Sequence, residues 1–375
     1  RMSSSAPAAF QAPSANQVRQ NRQILEELQE QKKRLGSAGP KAGRESGGES
    51  SASGKQSQQQ QQQQFKCALQ MQQPAEQLHL IDCHAHLADA CFLEDIDTVV
   101  QKAIKNGVQQ AIVVSESIEN FDRIFELQSR HPSFIQPCLG VHPVQQAGGP
   151  GLLVGGESRN RCVQLDDLEK AMPAIEAAAD RLIGVGEVGL DFTPRWCPDE
   201  AARETQKAVL RRQAEFALRH DLTLNVHSRS AGHHCIELLH SLGVRRAHLH
   251  AFNGRPHYAV TGAQLGYYFS IPPEVVRDSG KQRLVAALPL DRLLLETDSP
   301  VLGPTVDQRN EPSNARLVLE FIAKDKAIST EAAAAALLDN TMKAYPRLAR
   351  AQGVPNPQLL SSTPMMQNPQ PLSPN

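Results

Sequence analysis

The sequence contains no long apolar segment. No run reaches about 18 apolar residues, the length that a membrane-spanning helix requires. Residues 1–17 also lack the apolar core of a secretory signal peptide. These two absences predict a protein that does not associate with membranes and that resides in the cytoplasm, the nucleus or both.

The cysteines form no pattern typical of a metal site or of disulfide bonds. There are seven, an odd number, and no two are spaced as a CxxC pair. Three of them, Cys83, Cys138 and Cys235, lie among apolar residues of predicted strands or helices. The sequence therefore predicts buried thiols of a reducing compartment rather than disulfides or a zinc ribbon.

The chain also lacks an excess of charge of one sign, since its formal net charge is −1. Residues 1–78 hold 10 Lys or Arg against 6 Asp or Glu, and the remainder holds 29 against 34. A protein that coats duplex nucleic acid normally has a strongly basic surface. An anionic substrate would therefore have to be bound locally, by metal ions and a few arginines.

Both ends of the chain are predicted to be disordered tails. Residues 1–77 are rich in Ser, Gly and Gln, and residues 353–375 are rich in Pro, Ser and Gln. Such segments bury too little apolar surface to offset the entropy lost on ordering. Within the first tail, residues 17–35 have apolar side chains at helical spacing. This segment is either a transient helix or a docking site for a protein partner.

Residues 78–352 have the pattern of an α/β barrel. Eight short apolar runs suit buried parallel strands, at 78–83, 111–114, 134–141, 182–186, 222–226, 246–250, 267–271 and 292–296. Helical spacing is found at 93–106, 118–130, 165–178, 201–219, 234–242, 281–288, 311–324 and 330–341. The alternation predicts a (β/α)₈ TIM-like barrel. An open, doubly wound sheet is the alternative.

Six residues with metal-ligating side chains follow these apolar runs. They are His84, His86, Glu187, His227, His250 and Asp298. In such barrels the active site forms at the C-terminal ends of the strands, where all six would meet. The first two histidines are two positions apart and so point to the same side of an extended strand. Four imidazoles and two carboxylates at one rim would hold two divalent cations, which indicates a metal-dependent hydrolase.

The carboxylates have the two roles that such a site needs. Glu187 has two oxygens and can bridge the cations, with Asp298 and the first two histidines on one metal and the later two histidines on the other. Two cations would lower the pKa of a metal-bound water and stabilise an in-line displacement at phosphorus. Asp298 is the candidate base for that water. Imidazole ligands favour Zn or Mn, and Mg is also compatible with the set.

Seven short motifs carry a family resemblance. The strings DCHAHL, LGVHP, GEVGLDF, NVHSR, HAFNGRP, ETDSP and RNEP occur in this order over residues 80–345. In this set the chain resembles the TatD family of metal-dependent deoxyribonucleases, most closely its third animal branch. The resemblance implies that the same six residues hold the metals. It also implies that DNA is the substrate and that phosphodiester bonds are hydrolysed from a strand end.

Other residues near these motifs are candidates for binding the substrate. His142 would contact a phosphate or a further metal, unless it is simply a rim histidine. Arg229 and Arg255 follow ligand-bearing strands and can bind phosphate oxygens in a bidentate manner, although surface salt bridges would explain them equally well. Asp191 would orient one of the later histidines or belong to a turn. Residues 309–311 would brace the loop after the last strand.

Two other functions agree with the same residues. One is an amidohydrolase or lactonase that uses a similar metal site on a small molecule. The other is a non-catalytic protein that binds a partner through its tails. A Gly-rich insertion at 147–161 follows the third predicted strand on the active-site side, where it would alter access of the substrate.

Overall fold

The computed structural model describes residues 78–146 and 160–351. The predicted tails at 1–77 and 353–375, with the possible helix at 17–35, lie outside the described residues, as does most of the Gly-rich insertion. Those assignments, and the domain boundaries that depend on them, stay predictions.

Eight parallel strands form one sheet, and each pairs with its neighbour in chain order. They are β1 (Leu80–Ala85), β2 (Val108–Val114), β3 (Ile135–Leu139), β6 (Gly184–Gly189), β7 (Thr223–His227), β8 (Ala247–Leu249), β9 (Tyr268–Ile271) and β10 (Leu293–Leu295). All eight predicted strands are confirmed. A separate antiparallel pair, β4 (Val144–Gln146) and β5 (Asn160–Cys162), flanks the insertion and was not predicted.

The first and last strands meet, so that the sheet is a nearly closed barrel. The backbone N–H of Asp298 donates to the carbonyl of His84 at 2.9 Å, and that of His86 donates to the carbonyl of Ser299 at 2.8 Å. The buried carboxylate of Asp82 accepts the backbone N–H of Thr297 at 2.8 Å. This is the TIM-barrel fold, and the open-sheet alternative is wrong.

Helices alternate with the strands. They are α1 (Ile96–Lys105), α2 (Phe121–Arg130), α3 (Leu165–Ala177), α4 (Glu200–Arg219), α5 (Gly232–Ser241), α6 (Pro256–Gln264), α7 (Ser279–Ala287), α8 (Ala315–Asp325), α9 (Thr330–Ala344) and α10 (Pro346–Ala351). The sequence predicted eight of these and missed α6 and α10. Helix α6 is short and contains Gly262, which weakens the helical signal. The structure needs that glycine, because a Cβ there would lie 2.8 Å from the ring of Phe269.

Apolar side chains fill the space between the strands and the helices. The three cysteines predicted to be buried, Cys83, Cys138 and Cys235, are buried free thiols. Among the described residues, no helix is both long enough and apolar enough to span a bilayer.

Candidate metal centre

The six residues predicted to bind metal lie together at one end of the barrel. The carboxyl ends of β1, β6, β7, β8 and β10 supply them, as parallel barrel strands do. All are buried except His86, which is partly exposed. The structure thus brings together side chains from five strands that are far apart in the sequence.

Four donor atoms form a first cluster. The Nε2 atoms of His84 and His86 are 3.1 Å apart. They lie 3.6 and 3.3 Å from Oε2 of Glu187, and 3.4 and 3.3 Å from Oδ1 of Asp298. Two ligands of one tetrahedral zinc ion, each about 2.0–2.1 Å from it, are about 3.3 Å apart. The atoms of this cluster are therefore spaced as ligands of a single cation.

A second cluster surrounds the other oxygen of Glu187. Its Oε1 is 2.7 Å from Nδ1 of His227 and 2.7 Å from Nε2 of His250. The two ring nitrogens are 3.4 Å apart. Nε2 of His142 lies 3.5 Å from the same oxygen. Glu187 thus belongs to both clusters, with one oxygen in each.

The residues fit a divalent cation. Their donor atoms fall into groups of three that lie within 4.8 Å of one another. Imidazole nitrogens that face each other and two carboxylates require a proton or a cation between them, because their lone pairs repel. A buried set of imidazoles and carboxylates is a donor set that zinc and manganese accept.

The charges at the site are those of ionised carboxylates. Burial alone would raise the pKa of Glu187, but the imidazole of His250 holds it well below its ordinary value. Burial likewise opposes ionisation of Asp298, and hydrogen bonds from the β1 imidazoles lower its pKa. Burial would lower the pKa of His250, but the charge of Glu187 raises it to about 10. The site therefore attracts positive charge.

Asp191 was predicted to orient one of the two later histidines, and in the structure it contacts His227. Its Oδ2 is 3.2 Å from Nε2 of His227, while its Oδ1 accepts the backbone N–H of Thr193 at 2.9 Å. Burial would raise the pKa of Asp191, but the hydrogen bond from His227 lowers it to about 2. The carboxylate thus holds the ring of His227 so that Nδ1 faces Glu187.

The candidate substrate arginines line a cavity beside the clusters. Its volume is about 680 Å³, and His227, His250 and Asp298 form part of its wall. The side chains of Arg229 and Arg255 also line it and are exposed. Neither forms an ion pair with any residue that the structure describes, so the salt-bridge alternative has no support there.

Residues 309–311 hold the loop after β10, as predicted. Nδ2 of Asn310 donates to the carbonyls of Thr297 at 2.6 Å and Val301 at 2.7 Å. Arg309 forms two hydrogen bonds with the carboxylate of Asp95, at 2.9 and 2.5 Å. These contacts fix the segment that carries Asp298.

Sequence reasoning missed a second set of polar residues behind the metal centre. They stand two positions before a candidate ligand, on three strands and directly after a fourth, and all are 0% exposed: Asp82, Asn225, His248 and Glu296. Residues two apart on a strand point to the same face. The string HLH at 248–250, which repeats the spacing of HAH at 84–86, was the available signal.

Comparison with known proteins shows the family. The model of the TatD related DNase family matches residues 81–346. The chain is 46% identical over 271 residues to the putative deoxyribonuclease TATDN3 of Mus musculus. The aligned region covers 72% of this chain and 90% of the mouse protein. It is 46% identical over 269 residues to the deoxyribonuclease TATDN3 of Homo sapiens. That aligned region covers 72% of this chain and 95% of the human protein.

A solved structure agrees with these matches. The YjjV protein of Escherichia coli K12, a TatD homologue, superimposes with a TM-score of 0.60 at 29% identity, covering 72% of this chain and 98% of that chain. The family match spans the whole barrel from β1 to the end of α9. The chain therefore belongs to the TatD-related DNase family and is a hydrolase.

Proposed function

We propose that the protein is a metal-dependent deoxyribonuclease that hydrolyses DNA from a strand end with a dinuclear metal site. The observation that carries the proposal is the position of Glu187, whose two oxygens face two separate sets of imidazoles. The names of the TATDN3 relatives support DNA as the substrate.

Each cluster would hold one cation. His84, His86 and Asp298 would bind the first, His227 and His250 the second, and Glu187 both. Divalent cations bound there would supply Lewis acidity, which lowers the pKa of water and neutralises charge on a phosphate. The excess of imidazole over carboxylate ligands favours Zn or Mn over Mg.

The protein side chains would position the phosphate and accept a proton. Arg229 and Arg255 are free to bind phosphate oxygens in a bidentate manner at the cavity. His142, on the opposite side of Glu187 from the first cluster, would bind the substrate or complete the second cation. The carboxylate oxygen of Asp298 that does not face the imidazoles of β1 would take the proton from the attacking water.

The size of the cavity and the charge of the chain support a strand end as substrate. A cavity of about 680 Å³ is of the size that encloses a small molecule, and not of a groove along a duplex. The residues after 78 carry more acidic than basic side chains, whereas the affinity of a protein for a duplex comes largely from basic side chains that neutralise its phosphates. A single strand that enters by its end would fit the cavity volume and would need only a few basic side chains.

The test combines metal content with nuclease activity. Wild-type protein, Glu187→Ala and the control Glu200→Ala, an exposed residue at the start of α4, are assayed on end-labelled single-stranded DNA. We expect two divalent ions per chain and stepwise shortening in the wild type and the control. Glu187→Ala should lose metal and at least about a hundredfold in rate, a loss typical of an electrostatic catalytic group.

The other outcomes separate the alternatives. Bound metal without DNA cleavage, together with hydrolysis of small amides or lactones, would favour an amidohydrolase. Cleavage of circular single-stranded DNA, which has no ends, would contradict the strand-end preference. Absence of both metal and metal-dependent activity would overturn the proposal.

A further inference from the structure

Six buried polar side chains form a continuous line of hydrogen bonds behind the metal centre. All are 0% exposed, and together we call them the buried network: His84, Asn225, Tyr345, His248, Ser270 and Glu296. Four of them stand on neighbouring strands or at a strand end, from β7 to β10, and Tyr345 lies between α9 and α10. The bonds have lengths of 2.5 to 3.1 Å.

The amide of Asn225 sets the proton position on His84. Its Nδ2 lies 3.1 Å from the carbonyl of Cys83, which can only accept, so this atom is the amide nitrogen. Oδ1 is then the atom 2.8 Å from Nδ1 of His84. Since an amide oxygen only accepts, His84 carries its proton on Nδ1. Its Nε2 therefore presents a lone pair to the first cluster, which is the form that binds a metal.

Tyr345 holds the amide in this orientation. Its hydroxyl accepts the second N–H of Asn225 at 3.1 Å and donates its own hydrogen to Nδ1 of His248 at 2.7 Å. His248 then donates from Nε2 to Ser270 at 2.5 Å, and Ser270 donates to Oε2 of Glu296 at 2.6 Å. In this assignment every hydrogen has an acceptor. A proton on both nitrogens of His248 would leave the tyrosine hydrogen without one in the network.

Glu296 connects the network back to the metal centre. Its Oε1 accepts the backbone N–H of Ala251 at 2.8 Å, and its Oε2 lies 3.7 Å from Nδ1 of His250. The rings of His84 and His250 stack with centroids 3.7 Å apart. The network therefore reaches one histidine of each cluster: it forms a hydrogen bond with Nδ1 of His84, and it lies beyond hydrogen-bond distance, at 3.7 Å, from Nδ1 of His250.

We propose that Tyr345 is a positioning residue whose hydroxyl, through Asn225, fixes the tautomer in which His84 binds a metal ion. The inference rests on the proposed dinuclear function. The ring of Tyr345 lies 3.2 Å from the site of a Cβ on Gly184, the first residue of β6. Tyr345, which lies between α9 and α10, thus contacts the start of β6, at the opposite end of the strand from the metal centre.

Removal of the hydroxyl has a defined consequence. In Tyr345→Phe the ring is kept, but Asn225 loses one acceptor and His248 loses its donor. The amide is then less firmly held. When it reverses, Nδ2 faces His84, whose proton must move to Nε2, where it blocks metal binding. Loss of such an indirect support typically weakens metal affinity about 10–100-fold, and we expect about tenfold here.

The experiment compares Tyr345→Phe with Tyr267→Phe in the full chain. Tyr267 is equally buried, and its hydroxyl donates to the carbonyl of Val244 at 3.1 Å, outside the network. Zn²⁺ affinity is measured by competition with a chromophoric chelator, and the ligand field by the absorption spectrum of the Co²⁺ form. The melting temperature of the metal-free proteins reports on folding. We expect similar melting temperatures, with weaker Zn²⁺ binding and an altered Co²⁺ spectrum in Tyr345→Phe alone.

The outcomes separate this inference from the proposed function. Equal Zn²⁺ affinity and identical Co²⁺ spectra in the two variants and the wild type would overturn the role of Tyr345 and leave the metal centre intact. A similar loss of affinity in both variants would show a general packing effect, which also overturns it. Failure of the wild type to bind divalent metal would overturn the proposed function, and the inference with it.

Discussion

At the scale of the residue, the arginines at the cavity differ from other arginines of the barrel. Arg161 and Arg309 each form two hydrogen bonds with one carboxylate, that of Asp167 or Asp95. Arg229 and Arg255 have no such partner among the described residues. An arginine already held by a carboxylate cannot offer those same two N–H groups to a phosphate, and its positive charge is already paired. The cavity therefore has free cationic donors beside the carboxylates of the metal centre.

Substitution of Arg255 tests this interpretation. A hydrogen bond from a charged donor contributes about 1.5–3 kcal/mol, so Arg255→Ala should raise KM for a single-stranded oligonucleotide about tenfold or more. The effect on kcat should be small. Arg255→Lys should recover only part of the loss, because lysine lacks the bidentate geometry.

The matched control is Arg316→Ala, which removes another exposed arginine, one on α8 that pairs with Glu320. Its KM should equal that of the wild type. A rise in KM of the same size in the control would mean that overall charge, and not the cavity, binds the strand.

Residue types at strand ends were enough to find the six candidate ligands, because each lies at the end of an apolar run that predicts a buried strand. The residues behind them were missed for a physical reason. Asn225 and His248 lie within buried strands, and a buried polar side chain shows its role only through its partner. That partner is Tyr345, which is 120 positions from Asn225. No local pattern connects the two.

At the scale of the element, β6 approaches β7 closely at its three glycines, where an added Cβ would overlap with atoms of β7. Gly189, at the end of β6, has a φ of +145°, and a Cβ there would lie 2.0 Å from the carbonyl oxygen of His227. The glycines of GEVGLDF thus bring Glu187 beside the histidine of the next strand.

Gly189→Ala should therefore destabilise the barrel strongly. The overlap involves backbone on both strands, so we expect the free energy of unfolding to fall by more than about 4 kcal/mol. Gly243→Ala is the control, since Gly243 has a φ of +72° but a Cβ added there would have no atom within 4 Å. That change should cost only the backbone strain, about 1–3 kcal/mol. Urea denaturation of both variants measures the difference, and equal losses would contradict the close approach.

Two elements show the limit of local patterns. Helix α6 was missed because its glycine and its few apolar residues weaken the helical signal, although Pro256 at its first turn is typical of a helix start. The β4–β5 pair was missed because each strand has only three residues. The pairing joins positions on either side of a long insertion, which local spacing does not reveal.

At the scale of the whole molecule, the barrel is closed by contacts that also fix the metal centre. The backbone bonds between the β1 and β10 segments involve His84, His86 and Asp298, which are candidate ligands. The contacts that close the barrel thus also place these three ligands of the first cluster beside one another. Metal binding should depend on an intact barrel.

We propose that the barrel folds and acts independently of residues 1–77. Residues 1–77 are too polar to add much apolar burial, so their deletion should leave the melting temperature and the rate of DNA cleavage unchanged. Calorimetry and the end-labelled DNA assay measure the two quantities. A partner that docks on residues 17–35 should be lost by the same deletion. Loss of cleavage on deletion would contradict the independence of the barrel, and retention of the partner would place its binding site elsewhere.

The sequence by itself determined the order of the eight barrel strands and of eight of the helices, together with the six candidate ligands, because apolar runs, helical spacing and the residues at strand ends are local properties. Only the tertiary structure decided which oxygen of Glu187 faces which imidazoles, that Asp191 contacts His227, and that Tyr345 stands behind His84. Those features are contacts between side chains of different strands and helices. They exist only after the barrel closes and brings distant segments within hydrogen-bond distance.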